Sequence, residues 1–136
     1  VGYGFTNNGD LKRGLDLART PFNVNLMAQV AAETALAHPQ SVEQAAALVR
    51  RERPRVQAAI EALGLRVLPS KGNFLFFDAA RPATGLAEAL LDRGVIVKPW
   101  KQPGYETWLR VSIGTEADND QFLTGLAEAV AANVNK

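Results

Sequence analysis

Hydrophobic and polar residues alternate most regularly between positions 109 and 113. Leu109, Val111 and Ile113 are separated by Arg110 and Ser112. This period of two is typical of a β-strand with one buried face. The pattern therefore predicts a strand in which Arg110 lies on the face opposite the apolar one.

The residues after this strand predict a turn followed by a long helix. Gly114 permits a sharp change of direction, and Thr115 followed by Asp118 has the spacing of a capping box. The predicted helix carries four apolar residues on one stripe, namely Phe122, Leu123, Leu126 and Val130.

Three further strands are predicted upstream, at residues 65–68, 73–77 and 95–98. A helix separates the second of these from the third, and we expect Thr84 to cap it and Gly94 to end it. The resulting order β-β-α-β-β-α predicts a two-layer α+β lobe.

A polar loop leads into the strand that carries Arg110. It contains Trp100 and Tyr105, and Trp108 follows it directly. We expect these three aromatic residues to form a cluster over the small sheet. A role in a substrate loop is the alternative.

A long helix is predicted before this lobe, over residues 41–64, with Ser41 opening a capping box and Gly64 at the C-terminal end. Apolar residues recur every seven positions, at Val42, Val49, Val56 and Leu63. The charged residues between them predict a solvated face, formed by Arg50, Arg51, Glu52, Arg53 and Arg55. Pro54 is expected to kink the helix or to split it. Its length suggests a connection between two lobes.

The first 40 residues predict two shorter helices. Asp10 or a neighbour is expected to cap the first, and the break at residues 20–23 follows it. The second runs from about Asn25 to His38 and is rich in alanine, which predicts close packing and burial. His38 is expected to lie at a helix C-terminus and not to act as a base.

Composition narrows the possible functions. The 136 residues are 47% hydrophobic and 21% charged, with a net charge of +1, so nothing favours nucleic acid as a partner. There is no run of about 18 apolar residues and no leader pattern, so neither a membrane span nor export is expected, and the cytoplasm is the expected location. With no cysteine and one histidine, we expect no disulfide, no Cys nucleophile and no multi-His metal site.

Arg110 is the first candidate functional residue. A guanidinium fork suits a bidentate contact to a carboxylate or a phosphate. The structural alternative is a surface arginine or a salt-bridge partner, and the strand pattern alone leaves both open.

Four blocks together resemble the C-terminal part of a fold-type I aminotransferase that uses pyridoxal phosphate, and among these the histidinol-phosphate aminotransferases. The blocks are Gly2-Tyr3, Arg19-Thr-Pro-Phe-Asn-Val-Asn25, Ser70-Lys-Gly-Asn-Phe-Leu-Phe76, and Gly94 to Pro99 running on to Leu109-Arg-Val-Ser-Ile-Gly-Thr115. Each block is weak alone, but all four occur in the family's order.

The resemblance implies an α/β fold in three parts: residues 1–40 as the tail of the large cofactor domain, 41–64 as a connecting helix, and 65–136 as the small domain. It places the Schiff-base lysine upstream of Gly2, and neither Lys12 nor Lys71 matches its position. We therefore expect a C-terminal fragment that is inactive by itself.

The resemblance also implies roles for individual residues. Arg110 would clamp the acidic group of the substrate, and Asn73 would donate to the substrate or to the Arg110 loop. Asn23 and Arg19 would lie near a neighbouring subunit's site, and Tyr3 beside the cofactor. The structural alternatives are a turn amide for each asparagine, a helix-end residue for Arg19 and a core tyrosine for Tyr3.

The parent enzyme implied by the resemblance moves an amino group between histidinol phosphate and 2-oxoglutarate in histidine biosynthesis. It would act as a homodimer on a phosphorylated amino acid substrate. Two alternatives stay open within the enzyme class, an aromatic aminotransferase and a phosphothreonine decarboxylase-like enzyme. A non-catalytic module that binds an anion or a partner protein is the alternative of another class.

Overall fold

The computed structural model describes residues 1–132 of the chain. Their helices and strands are, in order, α1 Gly9–Ala18, α2 Leu26–Ala37, α3 Pro39–Ala62, β1 Arg66–Val67, β2 Phe74–Asp78, α4 Ala83–Leu91, β3 Lys98–Pro99, β4 Trp108–Ser112 and α5 Glu116–Ala132. The chain divides into two compact units, Val1–Gln44 and Ala45–Lys136.

The first unit contains α1, α2 and the first residues of α3. Asn8 caps α1 and Asn25 caps α2, each by accepting a backbone hydrogen bond on its side-chain oxygen. His38 lies at the C-terminus of α2, as predicted. The expected burial of α2 is wrong, because none of its residues is buried and Leu36 is 85% exposed. Alanine lets helices pack closely, but burial also needs a facing element.

Helix α3 differs from its prediction in two respects. It begins at Pro39, so Ser41 lies inside the helix and does not cap it. Proline suits the first turn because its missing N–H has no intrahelical partner there. Pro54 does not split the helix, since α3 is continuous to Ala62. At the C-terminal end Gly64 adopts a φ of 78°, as expected for its position.

The predicted order β-β-α-β-β-α is confirmed. The four strands form one antiparallel sheet in the order β1-β2-β4-β3. β3 is shorter than predicted, because residues 95–97 are not paired to a neighbouring strand. Val95 and Val97 are nevertheless buried while Ile96 is exposed, so these residues have the alternating burial of a strand without the pairing.

One face of the sheet builds the core. Leu75, Phe77, Leu109 and Val111 point into it, against buried residues of α3, α4 and α5. Thr84 does not cap α4, which begins at Ala83 after Pro82. The free N–H of Ala83 donates instead to the Glu106 carbonyl at 2.8 Å. None of the helices in residues 1–132 combines the length and the apolar character needed to span a membrane.

Candidate functional site

The outer face of the sheet carries Arg110. Antiparallel pairing places Phe76 of β2 on one side of Arg110 and Lys98 of β3 on the other. Leu109, the neighbour of Arg110 in the chain, is fully buried on the opposite face. The strand prediction and the orientation of Arg110 are therefore confirmed.

Aromatic residues cover this outer face around Phe76. The centroid of its ring lies 4.9 Å from that of Trp108, 5.3 Å from that of Trp100 and 6.1 Å from that of Tyr105. Backbone hydrogen bonds hold the loop in place, from Trp100 N–H to the Trp108 carbonyl at 2.8 Å and from Trp108 N–H to the Tyr105 carbonyl at 3.0 Å. The predicted aromatic cluster is confirmed, with Phe76 as the central member that the sequence reading left out.

Three cations lie over aromatic rings of this sheet, two of them over rings of the cluster. Arg66 is 5.5 Å from the Trp108 centroid, and Lys98 is 5.7 Å from that of Trp100. The Arg110 guanidinium carbon is 5.3 Å from the centroid of the Phe74 ring. Within residues 1–132 the Arg110 side chain makes no hydrogen bond and no ion pair with another described residue. Its guanidinium N–H groups are therefore available to an anion, and Phe74 supports the guanidinium plane.

The turn after β4 is held by side chains of α5. Thr115 and Asp118 form the predicted capping box: the Thr115 amide donates to Asp118 Oδ2 at 3.0 Å, and the Asp118 amide donates to Thr115 Oγ1 at 3.3 Å. The Thr115 hydroxyl and amide lower the pKa of the Asp118 carboxyl. Asn119 Oδ1 accepts from the Gly114 amide at 3.0 Å, and Asn119 Nδ2 donates to the Gly114 carbonyl at 3.1 Å.

Glu52 of α3 is buried against this turn and was missed by the sequence reading. It is 2% exposed, so its assignment to a solvated face is wrong. Its carboxylate accepts hydrogen bonds from Arg55 at 2.6 Å, Asn119 at 3.0 Å and Arg51 at 3.2 Å. Arg55 and then Asn119 contribute most to lowering its pKa to about 2.

The burial of Glu52 could have been predicted from helical spacing. It lies three residues after Val49 and four before Val56, so it falls on the same stripe as these valines. A carboxylate on an apolar stripe requires charged or hydrogen-bonding partners inside the fold.

Asn73 lies just before β2. Its carbonyl accepts from the Ile113 amide at 2.9 Å, which extends the pairing of β2 and β4. The turn before it is satisfied by Ser70, whose hydroxyl accepts from the Gly72 amide and donates to the Phe74 carbonyl. The side-chain amide of Asn73 has no hydrogen-bond partner among the described residues.

The other predicted site residues lie in the first unit. Tyr3 is 87% exposed and contacts the Phe5 ring, so it is not part of a core formed by residues 1–132. Arg19 is the C-terminal cap residue of α1 and lies 3.8 Å from the Asp16 carboxylate. Asn23 is exposed and follows Phe22, whose φ is 54°.

The described residues do not by themselves form a site that fits pyridoxal phosphate. Lys12 is ion-paired to Asp16 at 2.7 Å on an exposed helix, and the remaining described lysines, Lys71, Lys98 and Lys101, are also exposed. Tyr3, the expected cofactor contact, is exposed as well. A guanidinium with unused N–H groups beside an aromatic ring, as at Arg110 within the described residues, is chemically suited to bind and orient an anion.

Comparison with known proteins shows the family. The family described as "Aminotransferase class I and II" matches residues 1–126, and the chain belongs to it. Histidinol-phosphate aminotransferase 3 of Rhizobium meliloti is 49% identical over 131 residues, which are 96% of this chain and 35% of that protein. The chain therefore spans about a third of the length of this relative.

Solved structures agree on the fold. The histidinol-phosphate aminotransferase of Clostridium acetobutylicum superposes with a TM-score of 0.78 at 23% identity, over 93% of this chain and 40% of that one. The enzyme of Sinorhizobium meliloti, solved in complex with pyridoxal 5′-phosphate, gives 0.70 at 24% identity, over 89% and 34%. The expected fold class is confirmed.

Proposed function

We propose that this chain is the substrate-binding C-terminal part of a histidinol-phosphate aminotransferase. The complete enzyme would transfer an amino group between histidinol phosphate and 2-oxoglutarate with pyridoxal phosphate as cofactor. The 49% identity to a relative named histidinol-phosphate aminotransferase supports histidinol phosphate as one substrate. Residues 1–136 alone are expected to be inactive, because no lysine of the described part lies in a cofactor site.

The proposal rests on one observation, the guanidinium of Arg110, which is unpaired among the described residues. Its guanidinium lies over the Phe74 ring, and none of its N–H groups is used within the described part of the chain. Two parallel N–H groups can bind one phosphate or carboxylate and fix its orientation. In this role Arg110 holds the substrate in the geometry that proton abstraction at the amino-bearing carbon requires.

The other candidate residues have supporting roles in this proposal. Asn73, whose side-chain amide has no hydrogen-bond partner among the described residues, would donate to the substrate or to the Arg110 loop. Arg19 and Asn23 would contribute to the site of the neighbouring subunit of a homodimer, and Tyr3 would pack beside the cofactor. The exposure of these last three residues agrees with contacts made outside this chain. We propose a cytoplasmic location for the complete enzyme.

The test compares Arg110→Lys with wild type in the complete, cofactor-loaded protein. Lysine keeps the charge but loses the fork, so we expect kcat/KM for histidinol phosphate to fall about tenfold to a hundredfold. Glutamate formed from 2-oxoglutarate is the measured product. Arg66→Lys is the matched control, because Arg66 lies on the same sheet face over Trp108, and we expect a change below about twofold.

Other amino donors distinguish the alternatives. Phenylalanine in place of histidinol phosphate tests the aromatic aminotransferase, and carbon dioxide released from phosphothreonine tests the decarboxylase. Equal turnover of phenylalanine would contradict the proposed substrate. A complete protein that binds phosphate through Arg110 but transfers no amino group would instead support a non-catalytic anion-binding module.

A further inference from the structure

The fold contains a buried charge that the proposed reaction does not use. Glu52 of α3 and Asn119 of α5 are 2% and 3% exposed, and they meet at 3.0 Å. Burying a carboxylate is costly even when it is paired, and apolar residues of similar size often serve stability equally well. Glu52 is therefore better explained by what it orients than by the stability it adds.

Asn119 has only one orientation in which all of its polar atoms are used. Its two N–H groups donate to Glu52 Oε2 and to the Gly114 carbonyl, and its oxygen accepts from the Gly114 amide. A carboxylate can only accept, so the charge on Glu52 forces the nitrogen of Asn119 toward it. That choice leaves the oxygen and the second N–H positioned for both backbone groups of Gly114.

Gly114 lies two residues beyond the end of β4, the strand segment from which Arg110 extends. Ser112 of this segment pairs with Phe74, whose ring supports the Arg110 guanidinium. The Ile113 amide donates to the Asn73 carbonyl at 2.9 Å, which joins the same strand end to the start of β2. Any rotation of the Gly114 peptide would therefore disturb both strands at the position where Arg110 and Phe74 meet.

Helix α3 holds the start of β2 as well. Arg53 donates from a terminal guanidinium nitrogen to the Gly72 carbonyl at 2.9 Å, immediately before Asn73. Consecutive residues of α3, Glu52 and Arg53, thus fix the end of β4 and the start of β2. The contacts form a closed circuit around the corner of the sheet that carries Arg110 and Phe74.

We propose that Glu52 and Asn119 are positioning residues for Arg110, because together they fix the strand end that sets the guanidinium over Phe74. The inference rests on the proposed role of Arg110 as the substrate clamp. Neither residue touches the substrate in this proposal. Their effect is on the geometry of substrate binding.

The test uses the complete, cofactor-loaded protein and a swap of donor and acceptor. Asn119→Asp places two carboxylates together and removes the donor to the Gly114 carbonyl. We expect KM for histidinol phosphate to rise tenfold or more, with a smaller fall in kcat. In the double variant Glu52→Gln, Asn119→Asp the new amide donates to the new carboxylate at unchanged net charge, which removes the repulsion between the two carboxylates. The Gly114 carbonyl still lacks its donor, so we expect only part of the loss in KM to be recovered.

Asp120→Asn is the matched control. It breaks the 2.7 Å ion pair between Arg55 and Asp120, which also links α3 to α5 but does not reach Gly114. We expect its KM to stay within twofold of wild type. An equal rise in KM for Asp120→Asn would mean that any weakening of the α3–α5 contact has this effect, and it would overturn the proposal.

A second readout does not depend on the reaction. The Arg110 Nε–H signal in a 15N spectrum, assigned by its loss in Arg110→Lys, should shift in Asn119→Asp, return toward the wild-type position in the double variant, and stay unchanged in Asp120→Asn. If the wild type does not transaminate histidinol phosphate, the proposed function fails. The Arg110 Nε–H signal alone then tests whether Glu52 and Asn119 position Arg110.

An unchanged Arg110 signal in Asn119→Asp overturns the inference, and so does an unchanged KM in an active enzyme. If Asn119→Asp does not fold, Glu52→Gln is measured in the same two ways. It keeps the size of the side chain and removes the charge that orients Asn119, so the same shift in signal and rise in KM are required of it.

Discussion

Leu109 and Arg110 are neighbours in β4 but lie on opposite faces of the sheet. Replacing each by alanine therefore separates what the strand contributes to stability from what it contributes to binding. Leu109 is fully buried and pairs with Phe77, which is also fully buried. The Arg110 side chain is partly exposed and contacts the Phe74 ring, and it makes no hydrogen bond to the described part of the chain.

The two substitutions should differ widely in free energy of unfolding. Leu109→Ala removes buried carbon atoms and leaves a cavity between the sheet and the helices, which costs about 3–4 kcal/mol at a fully enclosed site. Arg110→Ala removes one cation–π contact at a partly exposed site, which costs less than about 1 kcal/mol. Because small domains are stable by about 5–15 kcal/mol, only the first change removes a large part of the total.

Urea unfolding followed by tryptophan fluorescence measures this difference in the 136-residue chain. Its two tryptophans, Trp100 and Trp108, both lie in the aromatic cluster on the sheet, so the signal reports the unit that contains Arg110. A loss above about 2 kcal/mol for Arg110→Ala would show that the arginine is a structural residue, and it would refute the argument that its N–H groups are kept for a ligand. A loss below about 1 kcal/mol for Leu109→Ala would refute the assignment of the two faces.

Two further predictions concern the turn after β4 and the buried carboxylate. A Cβ at Gly114 would lie 2.9 Å from the Cβ of Asp118, so we expect Gly114→Ala to destabilise the fold by about 1–3 kcal/mol in the same urea assay, and a neutral result would contradict this packing. The pKa of Glu52 is lowered from 4.5 to about 2, so the stability it adds is present above about pH 4.5 and is lost as the pH falls toward about 2. The urea midpoint should therefore fall less steeply on acidification in Glu52→Gln than in wild type, and equal slopes would count against the contact.

The sequence by itself predicted the order of elements in the C-terminal lobe and the two faces of β4. Alternation from Leu109 to Ile113 predicted the buried and exposed faces of β4, because the period of two in a strand depends only on backbone geometry. The Thr115–Asp118 capping box was equally readable, because both partners lie within one helical turn. The order of the helices and strands and the family resemblance could be predicted because each depends on a series of such local patterns along the chain.

Helix starts were less readable from the sequence. Ser41 and Thr84 have the right residue type for an N-cap, yet α3 begins at Pro39 and α4 at Ala83. The carbonyl of Glu106 satisfies Ala83 from a distant part of the chain, so the cap that the sequence offers is not needed. A helix need not begin at the N-cap residue that its sequence offers when a tertiary contact supplies the same hydrogen bond.

Only the tertiary structure decided the surroundings of Arg110. The support by Phe74, the closed circuit through Asn119 and the burial of Glu52 join residues up to 67 positions apart. Helical spacing placed Glu52 on the apolar stripe of α3, but the amide that faces it lies on another helix. The sequence could thus indicate which residue carries the chemistry. The geometry that holds it depends on contacts between elements that no local pattern encodes.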